Sequence, residues 1–427
     1  MPMCTFHRNE DQELCVDGVP LASLTATYGT PLYVYSAAGI ISTFTNFQQA
    51  VAPVSGKVHF AMKANSALGI LALIGKLGGG VDIVAIGEMK RAVAAGIAPA
   101  DMVFSGVGKT DDEIRQALLA GIGQINAESA PELDAISRVA TSLGVIAPVA
   151  LRVNVDVAPA THTKISTGQR DTKFGISSYQ NEAADLYRRL ANDTHIKPAG
   201  LAVHIGSQIR DLSPFERAYK ALLDLANGLR SSGLSVPGLD LGGGIGVDYE
   251  TGGAPDFSGY GALVTALFKD QDYNLGFEPG RSIIANNGVL LTRVIRVKKG
   301  DGKRFVITDA AMNDLLRPTL YEAYHKIVPL AAPGTPAGPA DIVGPICETG
   351  DYLGLDRDLP EIASGAQLAV LSAGAYGAVM ASYYNSRSPA AEVLVHNGTA
   401  HLLRAARPIE ALIADESAPD FIGIDGR

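Results

Sequence analysis

Between about residues 58 and 278, short apolar runs rich in β-branched residues alternate with longer stretches of helical periodicity. This alternation predicts parallel strands joined by helices. The predicted strands are Val58–Lys63, Val81–Val84, Met102–Ser105, Gln124–Glu128, Val149–Asn154, Gly200–His204, Leu239–Leu241 and Leu275–Glu278. The predicted helices are Glu88–Ala95, Asp111–Ala120, Ala130–Leu143, Asn181–Leu190 and Phe215–Leu229. Eight strands, most of them followed by a helical stretch, match a (β/α)8 barrel (TIM barrel) in count and in size.

The ends of the predicted strands support the barrel. In chain order they are Lys63, Asp82, Ser105, Glu128, Asn154, His204, a Gly242–Gly244 turn and Glu278. The carboxyl ends of the strands of a parallel barrel meet at one face, where active sites lie. A doubly wound open sheet is the competing architecture, but it would not need a polar residue at the end of every strand.

After about Ile284 the pattern changes to short strands separated by turns. Val289–Lys298, Arg304–Ile307, Gln367–Leu371, Glu392–Val395 and His401–Leu403 are predicted strands. Asn397-Gly398 predicts a type I′ hairpin turn, and the Pro- and Gly-rich Ala331–Ala340 predicts a loop. We therefore expect a barrel over residues 36–284. Residues 1–35 and 285–427 are expected to form an all-β domain, like a sandwich or barrel, that completes the active site.

Composition narrows the function classes. The chain has 427 residues, 47% of them hydrophobic, which is enough for two cores. The formal net charge of −9 and the lack of a Lys/Arg run argue against nucleic acid or an anionic membrane as a partner. Three cysteines cannot form a disulfide framework, and no metal-ligand spacing is present. No apolar run approaches the ~20 residues that span a bilayer, and the start of the chain does not resemble a signal peptide. We expect a cytoplasmic protein without a catalytic metal.

Several motifs suggest catalytic or binding chemistry, although a purely structural interpretation is also open for them. Lys63 at a strand end would be partly desolvated, which suits Schiff-base chemistry, although a solvated strand-end lysine is equally consistent. The Gly242–Gly244 turn offers backbone N–H groups for a phosphate after the seventh strand, a preferred position in barrels. Glu278 and Arg281 form either a structural ion pair or a pair in which Glu278 meets a cofactor nitrogen and Arg281 a substrate carboxylate.

Two further motifs also allow both a structural and a functional interpretation. His204 is either a satisfied core histidine or a flat ring that stacks on an aromatic cofactor. Cys347 is either inert packing or a proton donor beside Glu348, whose carboxylate would bind an ammonium group.

Taken together, these motifs resemble the fold-type III pyridoxal-phosphate decarboxylases, whose barrel is like that of alanine racemase, and within them the diaminopimelate decarboxylases. The resemblance covers nearly the whole chain. It rests on Phe60–Asn65, His162–Gly168, Lys173–Gly175, His204–Gln208, Asp240–Gly244, Glu278–Arg281, Asn313–Pro318 with Tyr321, Cys347–Gly350, Gly374–Gly377 and Tyr384–Arg387.

The resemblance implies a role for each matching residue. Lys63 is expected to anchor pyridoxal 5′-phosphate as the internal aldimine, His204 to stack on its ring, and the Gly242–Gly244 turn to hold its phosphate. Glu278 is expected to keep the ring nitrogen protonated, and Cys347 to donate the proton at Cα. Further cofactor contacts are expected from Ser207, Gly280, Arg281 and Tyr376. Substrate contacts are expected from Arg281, Arg317, Tyr321, Glu348 and Tyr376. A homodimer is expected, in which Cys347 and Glu348 reach the site from the partner subunit.

The implied reaction is decarboxylation of meso-2,6-diaminopimelate to L-lysine and CO2, the last step of lysine biosynthesis. An arginine in place of Glu278, as in alanine racemases, would weaken the electron sink, so Glu278 favours decarboxylation over racemisation. Decarboxylation of ornithine or arginine stays open, as does a non-catalytic homologue that binds the cofactor. The sequence departs from the family pattern at Ala85 and Ile86 and at Val155, where a proline is common.

Overall fold

The computed structural model describes residues 5–157, 159, 162–165, 167, 173–178 and 181–419. The chain forms two compact units. Ala37–Asn287 forms the first, and the segments before Ala37 and after Asn287 together form the second.

The first unit is a closed barrel of eight parallel strands. In chain order they are Lys57–Ala61, Gly80–Ile83, Met102–Phe104, Gln124–Ala127, Ala147–Asn154, Ile196–Ala202, Gly238–Asp240 and Asn274–Phe277. Each strand pairs with the next, and the eighth pairs with the first, where Phe277 lies opposite Val58. This closure confirms the predicted barrel and excludes the open sheet. A short strand, Ile176–Ser177, also pairs with the fifth strand.

Helices alternate with the strands of the barrel. They are Ala37–Val51, Leu68–Lys76, Ile86–Ala94, Asp111–Ala120, Ala130–Leu143, Glu182–Ala191, Ser213–Ser231, Phe257–Phe268 and the short Arg281–Ile284. Helix Asp111–Ala120 begins with a capping box, because the Thr110 hydroxyl accepts from the Glu113 N–H while the Glu113 carboxylate accepts from the Thr110 N–H. Helix Ala130–Leu143 begins after Ser129, whose hydroxyl accepts from the Glu132 N–H. Both helices have the predicted bounds.

Some polar residues that were predicted to end strands lie just beyond them. Lys63 is in the 3₁₀ turn Met62–Ala64 that follows the first strand. His204 lies two residues after the sixth strand, and Glu278 comes directly after the eighth. These three strands therefore end earlier than predicted, and the functional groups project from the loops at the carboxyl ends of the strands, as is usual for barrels.

The second unit is a mixed β-sheet with a smaller three-stranded sheet. The strands of the large sheet, in spatial order, are Tyr352–Pro360, Pro336–Val343, Arg304–Thr308, Gly288–Lys299, Leu32–Ser36, Ala391–His396 and Thr399–Arg404. Gln367–Val370 also pairs with Gly288–Lys299, and Ile327–Pro329 pairs with Gln367–Val370. The small sheet contains Phe6–Arg8, Leu14–Val16 and Val19–Pro20. Buried aliphatic residues of both sheets, including Val16, Val34, Val289 and Val393, form one core.

Two turn predictions have different outcomes. Asn397 and Gly398 both have positive φ, 48° and 75°, as a type I′ hairpin turn requires. The predicted loop Ala331–Ala340 is wrong in its second half, because Pro336–Val343 is a strand. Its proline-rich end is tolerated because only Asp341, Ile342 and Val343 pair with the neighbouring parallel strand, and register shifts interrupt the pairing on the other side. In the part of the chain that the structure describes, no helix combines the length and the apolar character needed to cross a membrane.

Candidate active site

Lys63 lies at the carboxyl-terminal face of the barrel. Its Nζ is 2.7 Å from Oδ2 of Asp82, which lies in the second strand. The Asp82 side chain is fully buried, whereas that of Lys63 is 35% exposed. Asp82 therefore holds the amine of Lys63 in place while the amine stays accessible at the mouth of the barrel.

Glu278 is a buried carboxyl group, and one of its oxygens accepts no hydrogen bond. The residue is 7% exposed, and its Oε1 atom is buried without a hydrogen-bond partner. Burial raises the pKa of Glu278 well above its usual value, and the neighbouring carboxylates of Asp240 and Asp82 raise it further. This environment therefore favours the neutral, protonated form of Glu278 until a cationic or basic group meets it.

His204 and the glycine turn after the seventh strand lie together. The Gly243 N–H donates to Nδ1 of His204 at 3.2 Å, so Nδ1 is an acceptor and the neutral ring carries its proton on Nε2. Burial, with the cations of Arg152 and Lys63 nearby, lowers the pKa of His204 well below its usual value. His204 is thus a neutral, flat ring at the mouth of the barrel.

The glycine turn is held tightly by the protein itself. The Gly242 N–H donates to Oδ1 of Asp240 at 3.0 Å, so the N–H groups of Gly242 and Gly243 both have protein acceptors. A Cβ atom on Gly243 would lie 2.1 Å from the Glu278 carbonyl oxygen, and one on Gly244 would lie 2.5 Å from that of Gly206. Close backbone approach therefore requires these glycines, irrespective of any phosphate.

Arg281 begins the short helix after the eighth strand and is buried. Its Nη2 donates to the hydroxyl of Ser207 at 3.0 Å, and its Nη1 donates to that of Tyr249 at 2.7 Å. Two predicted residues, Arg281 and Ser207, are thus in contact. Gly280 lies beside the first strand, where an added Cβ would be 3.0 Å from that of Ala61.

Several polar residues around this cluster received no role from the sequence. Asp82 and Asp240 flank Lys63 and Glu278, and Tyr249 contacts Arg281. Arg152 and Glu128 form a buried ion pair with a 3.0 Å separation. Asp82 and Glu128 were visible as polar strand ends, but Tyr249 lies in a long loop where no local pattern marks it.

The departures at residues 85 and 86 fall at the start of helix Ile86–Ala94. Ala85 is the N-cap residue and supplies no side-chain hydrogen bond. The carboxylate of Glu88 instead accepts from the Val84 N–H at 2.6 Å, and that of Glu113 accepts from the Ile86 N–H at 3.4 Å. Neighbouring carboxylates therefore bind the backbone N–H groups on either side of Ala85, although neither replaces the bond that a serine cap would accept from Gly87 or Glu88. Val155, the third departure, is buried directly after the fifth strand.

The other predicted residues lie in the β unit. Arg317 begins the short helix Arg317–Tyr321 and is buried, while Tyr321 ends that helix and is half-buried. The Thr319 hydroxyl donates to the Gly350 carbonyl at 2.6 Å, and both oxygens of Asp351 accept backbone N–H groups, those of Met312 and Ile346. These bonds hold the 344–351 loop against the helix.

Cys347 and Glu348 are exposed on that loop. The Cys347 N–H donates to the side chain of Asn385 at 3.1 Å, and the Tyr384 hydroxyl donates to Glu348 at 3.0 Å. The thiol is free. Both side chains therefore lie on the surface of the β unit and are not buried in its core. The interpretation of Cys347 as inert buried packing is thus wrong.

Tyr376 has a left-handed backbone conformation, with φ of 55°. This conformation is uncommon for a bulky aromatic residue, and such strain concentrates at functional sites.

The predicted site residues fall into two groups. The structure brings Lys63, Ser207, His204, the Gly242–Gly244 turn, Glu278, Gly280 and Arg281 together in the barrel unit. Arg317, Tyr321, Cys347, Glu348 and Tyr376 belong to the β unit. Part of the predicted His162–Gly168 motif lies outside the described residues.

The barrel cluster fits pyridoxal phosphate. The buried, unbonded Oε1 of Glu278 matches a ring nitrogen, the Lys63 amine matches an aldehyde, and the neutral ring of His204 matches an aromatic face. The phosphate would lie at the glycine turn, where barrel enzymes bind phosphate. Because the N–H groups of Gly242 and Gly243 already have acceptors, the donors to the phosphate would come from elsewhere in this region, including Gly244 and the Ser207 loop.

Comparison with known proteins identifies the family. The family model described as "Pyridoxal-dependent decarboxylase, pyridoxal binding domain" matches residues 37–285. The chain is 48% identical to the diaminopimelate decarboxylase of Zymomonas mobilis over 414 residues, covering 96% of this chain and 98% of that relative.

Solved structures agree with this. The diaminopimelate decarboxylase of Helicobacter pylori complexed with L-lysine superposes with a TM-score of 0.88 at 39% identity, covering 92% of this chain and 98% of that one. That of M. jannaschii, also in complex with L-lysine, gives 0.90 at 33% identity, covering 98% of each chain. The predicted resemblance, fold class and cofactor are confirmed. By full-length similarity to these relatives and by its barrel domain, the chain belongs to the diaminopimelate decarboxylases, a family of pyridoxal-phosphate-dependent enzymes.

Proposed function

We propose that this protein decarboxylates meso-2,6-diaminopimelate to L-lysine and CO2, the last step of lysine biosynthesis. The observation that carries the proposal is Glu278, a buried acid whose Oε1 lacks a hydrogen-bond partner at the mouth of the barrel. Such an acid suits a reaction that needs a protonated, electron-accepting ring. Curated relatives at up to 48% identity carry the same activity in their name, which favours this reaction over decarboxylation of ornithine or arginine.

Lys63 is the proposed covalent anchor of the cofactor, and His204, Ser207, the Gly242–Gly244 turn, Gly280, Arg281 and Tyr376 are its proposed further contacts. When bound, pyridoxal phosphate supplies an aromatic ring that accepts the electrons left by departing CO2. Asp82 holds the Lys63 amine at 2.7 Å and so orients it toward the mouth of the barrel. Burial of Asp82 strengthens this interaction relative to a surface pair.

Glu278 acts by holding a proton. Burial and the Asp240 and Asp82 carboxylates raise its pKa, which favours retention of that proton. Glu278 would donate this proton to a basic ring nitrogen next to Oε1, and its carboxylate would then hold the proton there through a charge-assisted hydrogen bond. His204, being neutral, packs without adding a positive charge.

Substrate choice is proposed to rest on charges at the two ends of the molecule. Arg281, Arg317 and Tyr321 would bind carboxylate, and Glu348 would bind the distal ammonium group. Tyr376 would contact both cofactor and substrate. Ornithine carries only one carboxylate and leaves one of these cationic groups without an anion, which a buried arginine tolerates poorly. Cys347 would deliver the proton to Cα from Sγ.

We expect Cys347 and Glu348 to act on the partner subunit's site in a homodimer. Their exposure on the loop supports this, because they are not enclosed by their own unit. An exposed free thiol also fits the reducing cytoplasm, where we expect the enzyme to work.

Mixing two inactive variants tests the shared site. Lys63→Ala and Cys347→Ala are purified separately, mixed, and allowed to exchange subunits. If the site is shared, the mixed dimer has one intact site. The mixture then regains about a quarter of wild-type activity, because random assortment makes half of the dimers mixed. If Cys347 serves its own subunit, the mixture stays as inactive as its components.

A substrate comparison tests the reaction itself. The holoenzyme is given meso-diaminopimelate, ornithine and arginine, and both CO2 and the amine product are quantified. We expect L-lysine from meso-diaminopimelate and no comparable turnover of the other two. Better turnover of ornithine would overturn the proposed substrate, and no turnover of any substrate despite a visible cofactor band would favour a non-catalytic homologue.

A further inference from the structure

His325 is a fully buried histidine whose ring contacts Arg317. Its exposed fraction is 0%, and that of Arg317 is 5%. Nε2 of His325 lies 2.7 Å from Nη1 of Arg317, and Nδ1 lies 2.9 Å from the Leu371 carbonyl oxygen. All three residues belong to the β unit.

These two contacts determine the state of the imidazole. A guanidinium group has only donors, so Nε2 of His325 must accept the hydrogen bond from Arg317. A carbonyl oxygen has only lone pairs, so Nδ1 must donate to Leu371. The ring is therefore neutral, with its proton on Nδ1. Protonation of Nε2 would place its N–H opposite the N–H of Arg317, with no acceptor between the two donors.

The backbone holds this ring in a fixed position. The Leu371 N–H donates to the Lys326 carbonyl at 2.8 Å, so both backbone groups of Leu371 bind the 325–326 segment. The next residue, Ile327, pairs with Val370 in the antiparallel ladder. His325 is thus positioned by the sheet, while Arg317 comes from a short helix that ends in a left-handed turn at Glu322.

A neutral acceptor has a specific effect on an arginine. A carboxylate in this place would orient the guanidinium and also contribute a negative charge that opposes an incoming anion. The imidazole of His325 fixes one N–H of Arg317 without contributing charge, and a guanidinium oriented in this way is suited to bidentate binding of a carboxylate. Fixing the side chain beforehand also removes part of the entropy loss that binding would require.

We propose that His325 is a positioning residue that orients Arg317 toward the substrate carboxylate and so sets the preference for a substrate with a carboxylate at each end. This inference rests on the proposed function, in which Arg317 binds that carboxylate. We propose no direct contact of His325 with substrate or cofactor. It acts through one hydrogen bond to Arg317, so its effect falls on substrate binding.

Three variants separate the two bonds of the ring. His325→Gln places an amide oxygen near the position of Nε2 and retains an acceptor for Arg317. His325→Asn places an amide N–H near the position of Nδ1 and retains only the donor to Leu371. His325→Phe retains the bulk of the ring and neither bond. For each holoenzyme, kcat and KM for meso-diaminopimelate are measured, together with turnover of lysine, which has one carboxylate, and the visible absorbance of the cofactor.

We expect His325→Phe and His325→Asn to raise KM for meso-diaminopimelate roughly 10- to 100-fold, the effect of one hydrogen bond to a charged group. The value of kcat and the cofactor absorbance should change little, and the preference for meso-diaminopimelate over lysine should fall. His325→Gln should recover most of the loss. If His325→Phe does not fold, the comparison of the Gln and Asn variants still decides the question.

Equal impairment of the Gln and Asn variants, an unchanged KM in His325→Phe, or parallel losses in kcat and cofactor absorbance would each overturn the inference. Arg317→Lys serves as the reference for the proposed function. If Arg317→Lys raises KM and His325→Phe does not, only the role of His325 fails. If the wild type does not turn over meso-diaminopimelate, the proposed function fails instead.

Discussion

Replacing Glu278 by glutamine should stabilise the cofactor-free protein at neutral pH, although it removes the acid proposed to meet the cofactor. Glu278 is 7% exposed, and burial followed by the Asp240 and Asp82 carboxylates raises its pKa well above 4.5. Glutamine is neutral at every pH and, like the protonated acid, can donate a hydrogen bond to Asp240. The substitution therefore makes the uncharged state permanent.

The direction of the pH dependence of stability follows from proton binding. Because the pKa of Glu278 is raised in the folded state, the folded chain binds the proton more tightly than the unfolded chain. Its contribution to stability is fully present below the usual carboxyl pKa. It is lost as the pH rises from there to the raised folded value, at up to ~1.4 kcal/mol per pH unit. Across the interval between these two pKa values the wild type should thus lose stability that Glu278→Gln keeps.

Urea unfolding of the cofactor-free proteins at several pH values measures this difference. The chain has no tryptophan, so far-ultraviolet circular dichroism is the suitable probe. Asp240→Asn is the control, because removing the neighbouring charge should reduce the pH dependence without abolishing it. Stabilities of wild type and Glu278→Gln that run parallel from pH 5 to pH 7 would show that Glu278 does not have a raised pKa in the folded state. Added pyridoxal phosphate should stabilise the wild type more than the variant, since only the wild type supplies the acid.

Two further substitutions test the packing around the site. Gly243→Ala should destabilise the barrel by about 1–3 kcal/mol, because the new Cβ would meet the Glu278 carbonyl oxygen at 2.1 Å. Gly108→Ala, where nothing lies within 4 Å, should be nearly neutral, and equal effects in urea unfolding would contradict the steric account. Arg152→Met should cost about 3–5 kcal/mol, because it leaves the buried Glu128 carboxylate without its cation. The double variant with Glu128→Gln should recover much of that loss, and a double variant no more stable than Arg152→Met would argue against the pair.

The sequence predicted the barrel because its strands and several helices have clear periodicity and punctuation. Helix Asp111–Ala120 was predicted with its correct bounds, since Thr110 and Glu113 form a capping box before an amphipathic run. Helices Leu68–Lys76 and Phe257–Phe268 were not predicted, because the first is almost wholly apolar and the second contains two glycines and no charged residue. In both, tertiary packing outweighs the local pattern.

Site residues could be predicted where they stand next to a strand end or in a glycine turn. Contacts between distant residues could not. The Tyr249 contact with Arg281 and the His325 contact with Arg317 join residues that no local spacing relates. The occupied N–H groups of Gly242 and Gly243 were likewise beyond the sequence, since glycine-rich turns suggest free donors until their acceptors are seen.

The strand Leu32–Ser36 has a consequence for how the protein is made. It pairs on one side with Gly288–Lys299 and on the other with Ala391–His396, so both of its neighbours are translated hundreds of residues later. The complete barrel sequence, by contrast, is translated before either neighbour. The strand Leu32–Ser36 therefore has two unpaired edges while the barrel folds. During this period the chain is most exposed to aggregation and to chaperones. A circular permutant that begins at Gly288 and carries residues 1–36 directly after the present carboxyl terminus would make the β unit contiguous, and it should shorten that period.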